Sequence, residues 1–447
     1  MNFLNTKHIA ILGFGVTGKA LMRFCESQKI HHWIWEDSQP ITGTGAYFMG
    51  QLSSADLTDD FAKTIFAILP SPGAPQAHPL NQWGMKMGLN ILSDIEWAAS
   101  FLNGEFIGVT GTNGKSTTVK LIDQLLNDAG KSCGLFGNYG RPLVEACSEP
   151  LFSHYVLEES SYQLELIQNL RHKISVCLNI TEDHLDRYGD MANYRKAKER
   201  IFKNSTPNDF FIYNFDDYGC LQMVKNSLAT NIPFSLVHEF DTGGFLKNNT
   251  LIIRSQGQEF IFSTTDCSLK GWHNMENMLA ALICCLQIDC SEQAVASYKN
   301  TLKAFRGLPH RVEWVHNENG IDFYDDSKAT NVNSVAMALT CFDNNVILIA
   351  GGRDKGGDYA PLDGLVKAKV KSMLLIGESQ DLLFEHFSKL VETKKMGTLQ
   401  NAVAQAKAIA NKGDVVLLSP ACSSFDQFQN YHERGLKFQD FAKGIVS

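Results

Sequence analysis

Short apolar runs recur along this chain, and each gives way to a stretch whose apolar residues repeat at helical spacing. That alternation predicts strands joined by helical crossovers, an α/β architecture with mostly parallel sheets. In the first stretch His8–Leu12, His32–Trp35, Thr64–Leu69 and Leu89–Leu92 read as strands, the third ending in the rigid turn Ser71-Pro72-Gly73-Ala74-Pro75. The middle stretch offers Phe106–Thr110, Tyr155–Glu158, Ile174–Asn179 and Phe210–Asn214. An antiparallel pair follows, Leu251–Ser255 and Glu259–Ser263, turning at Gly257. From Phe305 onward come Asp322–Tyr324, Val346–Ala350, Met373–Ile376 and Val415–Leu418. The pattern restarts twice, which predicts three α/β domains at 1–97, 98–304 and 305–447.

Composition narrows the class of protein. Of 447 residues, 44% are hydrophobic and 20% charged, an ordinary globular balance. A net charge of -8 argues against a nucleic-acid partner, though not against a local basic pocket for a small anion. The 11 cysteines show no C-x-x-C spacing and point to a reducing compartment. The N-terminal apolar run, Ile9–Phe14, is too short for a signal-peptide core, and no stretch approaches the ~18 apolar residues of a membrane span. No membrane association and a cytoplasmic location are therefore expected.

Two glycine-rich loops carry candidate chemistry. Gly13-Phe14-Gly15-Val16-Thr17-Gly18 has the G-x-G-x-x-G spacing of a dinucleotide-binding turn after a strand, with Glu36 and Asp37 ~20 residues on, where such folds place a ribose-binding acid. A nicotinamide-dependent oxidoreductase is one reading of it. The second loop, Gly111-Thr112-Asn113-Gly114-Lys115-Ser116-Thr117-Thr118, lies between a strand and a helix with apolar residues at Leu121, Ile122, Leu125, Leu126 and Ala129. Backbone N–H groups, a lysine and a hydroxyl able to ligate Mg²⁺ suit a nucleotide triphosphate. The general P-loop pattern has an earlier glycine where this chain has Val109, so the loop is a variant. Its context predicts a central P-loop-type ATPase sheet with a small antiparallel part, flanked by N- and C-terminal Rossmann-like domains.

Polar residues gather at other predicted strand ends. Glu158 ends one, where a carboxylate suits Mg²⁺ but is more often a solvated cap. The run Asn179-Ile180-Thr181-Glu182-Asp183-His184-Leu185-Asp186 follows another, leaving structural and functional roles open for His184. Residues 193–202 form an amphipathic helix with Tyr194, Ala197, Ile201 and Phe202 inward, so Lys198 reads as a solvated lysine. Asn274 and Asn277 share a helix face. In the last stretch Tyr324–Asn331, Gly351–Gly357 and Ser419–Phe428 end strands with Lys, Thr and Ser, a setting for a small anionic ligand.

The Gly111–Thr117 loop, the 179–186 run, His273-Asn274-x-x-Asn277 and Pro309-His310-Arg311 together resemble the Mur ligase family, ATP-dependent amino-acid ligases of peptidoglycan synthesis, from residue 9 to about 438. Tyr162–Glu165, Asp326–Asn331 and Ser419–Phe428 resemble its D-glutamate-adding members. The resemblance implies that D-glutamate is joined to UDP-N-acetylmuramoyl-L-alanine through an acyl phosphate; a monomer is expected. It implies ATP on Gly111, Thr112, Asn113, Gly114, Lys115, Ser116, Thr117 and Thr118, with Asn274, Asn277, Arg311 and Asp326. It implies two Mg²⁺ ions, one near Ser116 and Glu158, the other near His184 and a Lys198 carbamylated by CO₂; Lys115, His184 and Lys198 are the implied catalytic residues. The UDP-substrate would meet Gly15, Val16, Thr17, Glu36, Asp37, Ser38, Ser71, Gly73, Asn138 and His184. D-Glutamate would meet Lys328, Thr330, Lys355, Ser424, Phe425 and Tyr431. The family often has Asp-Thr-Arg-like residues at 36–38, so Glu36-Asp37-Ser38 departs from it. A non-catalytic nucleotide sensor is the third reading. The Lys115 loop and the His184 run favour a ligase over both alternatives, because an oxidoreductase needs neither.

Overall fold

A computed structural model describes residues 7–265, 267, 269, 271–354, 356 and 358–445. Among these residues three sheets account for the strands. The first is wholly parallel, in the order Phe48–Gln51, His32–Trp35, His8–Leu12, Ile65–Pro70, Asn90–Ile91. The second has nine strands. Cys133–Gly137, His154–Glu158, Glu105–Thr110, Ile174–Cys177, Phe210–Asn214, Thr230–Ser235 and Gly243–Lys247 run parallel, and Thr250–Ser255 and Gln258–Ser263 complete an antiparallel end. The third has six strands, with only Glu313–Glu318 antiparallel to its neighbour Ile321–Asp325.

The expected α/β class and the antiparallel pair are thus present. The pattern missed six strands: Phe48–Gln51, Cys133–Gly137, Thr230–Ser235, Gly243–Lys247, Glu313–Glu318 and Glu392–Gly397. Four of them, Phe48–Gln51, Cys133–Gly137, Glu313–Glu318 and Glu392–Gly397, lie at sheet edges, where one side is free and polar residues are tolerated. Thr230–Ser235 contains Pro233, and Gly243–Lys247 opens on two glycines, so neither reads as an apolar run.

The chain forms two compact units, Met1–Thr265 with Glu276–Leu302, and Asp266–Met275 with Lys303–Ser447. The first two sheets share the first unit, and one core runs through both, from Ile9, Phe14 and Leu21 to Trp97, Phe136 and Tyr155. In the second unit the strand Val346–Gly351 buries Val346, Leu348 and Ala350 in one core and Ile347 and Ile349 in the other. Such two-faced burial is what a parallel sheet between helix layers requires, and it sets the loops at the strand C-termini as the places for chemistry. Among the described residues no helix is long and apolar enough to cross a membrane.

Candidate active site

The Gly13 turn is built by close packing. Gly13 has φ +89, and a Cβ on Gly18 would strike the Gly13 carbonyl, so neither position has room for a side chain. The helix Val16–Ser27 begins without a side-chain cap, leaving its first N–H groups for an anion, and Gly15 faces open space. Glu36 is already committed. It accepts from Phe14 N (2.7 Å), Ser38 N (2.8 Å) and Ser38 Oγ (2.6 Å), and these bonds, the Ser38 hydroxyl foremost, hold its carboxyl at about 2. A ribose-binding acid in a dehydrogenase needs free oxygens; Glu36 engages one with the turn at Phe14 and the other with Ser38. Asp37 is fixed by Trp35 Nε1 at 2.7 Å and lies 3.3 Å from His78 Nε2. Ser71 hydrogen-bonds Leu12 O through its N–H, and Gly73 faces open space in the turn after it.

The Lys115 loop is clamped from the neighbouring strand end. Asn113 N–H donates to Asn179 Oδ1 (2.8 Å), Asn179 Nδ2 donates back to Asn113 O (3.2 Å), and Thr112 N–H donates to Asn179 O (2.9 Å). Gly114 has φ +86 and opens the helix Lys115–Asp128; a Cβ there would strike Asn277 Oδ1. Asn277 Oδ1 in turn accepts from Thr118 Oγ1 (3.2 Å), while Lys115 Nζ caps the carbonyls of Gly111 (2.7 Å) and Thr112 (2.9 Å). Ser116, Thr117 and Thr118 are buried at the helix start.

Glu158, paired in register with Val109 just before the loop, is buried rather than solvated. Its Oε1 accepts from Asn138 Nδ2 (2.7 Å), and its Oε2 is buried without a hydrogen-bond partner. An orphaned carboxylate oxygen beside a phosphate loop fits a hard divalent cation.

Lys198 corrects the sequence reading most sharply: it is 1% exposed, not a solvated side chain. Its Nζ lies 2.9 Å from Gly111 O and 4.8 Å from the Tyr194 ring centroid. Burial, and then the positive Lys115, lowers it to about 7. Tyr194 reaches Thr112 Oγ1 (3.4 Å), and its ring meets that of His184. His184, in left-handed backbone (φ 53), has Nδ1 2.9 Å from Tyr162 OH. Ser71 and Tyr162 both line one open cleft with Asp94, Gln163 and Arg187. Below the loop, Glu159 and His172 form a buried ion pair (3.0 Å). Burial works against a charge on His172, but Glu159 outweighs it and raises the imidazole above its usual range.

The second unit carries the remaining residues. Asp326 is buried, accepts from Ser419 Oγ (2.7 Å), and is pushed up to about 7 by desolvation. Burial, then Arg311, holds His273 down at about 4, in the same helix turn as Asn274. Lys328 Nζ lies 5.8 Å from the Tyr431 ring, Ser424 is buried, and Phe425 is exposed. Thr330 N–H donates to Lys328 O (2.9 Å). Lys355 lies outside the described residues. Sequence reasoning missed Arg434, which is fully buried with Nε on Ser327 Oγ (3.0 Å) and Nη2 on Ser327 O (2.9 Å) and Cys422 O (3.1 Å). No sequence signal separates it from an exposed arginine of an amphipathic helix.

Two family models match, the Mur ligase middle domain over residues 109–285 and the Mur ligase glutamate ligase domain over 310–422. The chain belongs to the Mur ligase family. It is 40% identical to the UDP-N-acetylmuramoylalanine–D-glutamate ligase of Trichlorobacter lovleyi, over 97% of this chain and 98% of that one. It is 38% identical to the enzyme of the same name from Geotalea uraniireducens, over 100% and 99%. Its fold is also that of the UDP-N-acetylmuramate–alanine ligase of Thermotoga maritima (TM-score 0.60, 17% identity, 98% and 100% covered). The MurF ligase of that organism, solved with ADP, gives TM-score 0.60 at 16% identity, with 100% of both chains covered.

Proposed function

We propose that this ATP-dependent, amide-forming ligase joins D-glutamate to UDP-N-acetylmuramoyl-L-alanine, as the names of its relatives indicate, in peptidoglycan precursor synthesis. The observation that carries the reading is the built cation-and-phosphate corner of the first unit. There a clamped Lys115 loop stands beside an orphaned Glu158 oxygen and a buried Lys198.

The chemistry follows from charge. A carboxylate is a poor electrophile, so the alanyl carboxylate takes the γ-phosphoryl group of ATP to become an acyl phosphate, and the amine of D-glutamate then displaces phosphate. The first step brings two anions together. Lys115 can leave its loop carbonyls for phosphate oxygens, and the helix start adds N–H donors where charge develops. Mg²⁺, for which Ser116, Glu158 and His184 offer suitable donors, supplies further neutralisation of phosphate charge. Lys198 near pH 7 has a substantial neutral-amine fraction, the form that reacts with CO₂; the resulting carbamate would turn a cation into an oxygen donor. The Gly13 turn, with Val16 and Thr17, takes the substrate diphosphate, and Glu36, Asp37 and Ser38 lie by the uracil. Lys328, Thr330, Lys355, Ser424, Phe425 and Tyr431 receive D-glutamate. Residues 1–97, 98–304 and 305–447 divide as UDP-substrate, ATP and amino-acid domains of a cytoplasmic monomer.

Phosphate release is the test. It is expected only when ATP, Mg²⁺, UDP-N-acetylmuramoyl-L-alanine and D-glutamate are all present. Release that ignores D-glutamate, or oxidation of NADH, would refute the reading. The spent oxygens of Glu36 weigh against the nicotinamide alternative.

A further inference from the structure

Two imidazoles face each other in the second unit. His310 Nε2 and His432 Nδ1 are 2.7 Å apart, and His310 Nδ1 lies 2.6 Å from Asp325 Oδ2. His310 is buried, while His432 is exposed in the first turn of the helix Tyr431–Ala442. The His310 backbone is left-handed (φ 59); its N–H donates to Glu313 Oε2 (2.7 Å), and its carbonyl accepts from Lys328 N–H (3.0 Å). On the other side, Ser327 Oγ donates to Tyr431 O (2.8 Å). Glu313 and Asp325 each also accept from Gln439 Nε2 (3.1 and 2.9 Å), so this His–Glu–Asp group is closed by N–H donors rather than open to a cation. A side chain at Gly435 would strike the His310 ring, which leaves the ring no room to swing.

One proton fits between the two rings. A neutral His310 gives Nδ1–H to Asp325 and accepts from His432; a charged His310 donates to His432 instead. Two charged rings would set N–H against N–H. We propose that His432 is a positioning residue for the amino-acid site, a single-proton contact with His310 holding the Lys328 loop against the start of the Tyr431 helix. This rests on the ligase reading above.

The charged and titratable groups around the pair are Asp325 and Glu313 from the hairpin, Lys328 from the loop, and Tyr431, Glu433 and Arg434 from the helix. Burial opposes a charge on His310, but the bond to Asp325 and the charges of Asp325 and Glu313 outweigh it and raise the imidazole. The first proton is therefore held firmly. A second proton would set N–H against N–H and open the contact.

Steady-state phosphate release by the full chain tests this from about pH 5.5 to about pH 8. In the wild type, KM for D-glutamate should rise towards the acid end of that span, where a second proton opens the contact. His432→Phe should raise it about five-fold even at the alkaline end, with KM for ATP unchanged, the size of one lost hydrogen bond. His432→Glu accepts from charged His310, so it should restore the wild-type KM and move the acid rise to lower pH. Identical profiles in all three proteins would overturn the proposal. Nitrogen NMR of the histidines in the ligand-free chain gives a second reading: His432→Phe must change the His310 titration, and an unchanged titration also overturns it. A wild type with no D-glutamate-dependent turnover would instead sink the ligase reading, and the NMR would still decide the histidine pair.

Discussion

At the scale of the residue, Lys198 is the costly element. Its folded form gives up its proton around pH 7, whereas an unfolded lysine holds its proton to ~10.4. Between those values the unfolded chain binds more protons, so stability should rise with pH across that window. Lys198→Met should remove the slope and leave the melting temperature at pH 7 no lower than wild type, because a buried charge is exchanged for a volume-matched apolar group. Thermal unfolding in carbonate-free buffer checks both points, and an unchanged slope would mean that burial does not govern this amine. Catalytically, Lys198→Ala should lose turnover and regain part of it with short carboxylic acids that fill the vacated oxygen position. A folded variant with no rescue would count against a carbamate. Neither burial nor proximity was legible in the sequence for Lys198, since it only flanks the apolar stripe of a helix that also carries Arg195, Lys196 and Arg200. The same holds for Arg434.

At the scale of the element, the loop before Lys115 depends on two separable features of Gly114: a left-handed backbone and a lack of room beside Asn277. Gly130 shares the first feature (φ +79) but faces open space. Gly130→Ala should therefore cost only the conformational strain, about 1 kcal/mol, and leave nucleotide binding intact. Gly114→Ala should add displacement of Asn277 and lower the affinity for ATP at least tenfold, measured by titration calorimetry. Equal effects of the two would show that the Asn277 contact is unimportant. The loop, its strand and its helix could all be read from glycine spacing and apolar period. Its clamp could not, because Asn179 was visible only as one member of a polar run, and its pairing with Asn113 is set by register between parallel strands. The missed strands fail for the complementary reason: an edge strand such as Glu392–Gly397 carries no apolar run to see.

At the scale of the whole molecule, the three sheets follow the two restarts of the apolar pattern, yet the first two share one core within a single compact unit. Helices from both stretches bury their stripes together, and periodicity reports that a stripe exists but not what covers it. Ligands should nonetheless mark separate segments. Hydrogen exchange is expected to slow at 13–18 and 71–74 with the UDP-substrate and at 111–118 with an ATP analogue, and NADH should protect neither. Protection of 13–18 by NADH would reopen the nicotinamide reading.

The ion pair beneath the phosphate loop has a further consequence. A Cβ on Gly108 would fall 2.6 Å from Glu159 Oε2 and 2.7 Å from His172 Cδ2, so the glycine is the space in which the pair stands. Loss of His172 strands the Glu159 carboxylate, loss of Glu159 leaves a neutral imidazole without its Nε2 partner, and filling the glycine displaces both. No single substitution escapes this arrangement. The three positions should therefore be inherited as a block, and descendants of this chain that abandon the pair should be free to place a side chain at 108.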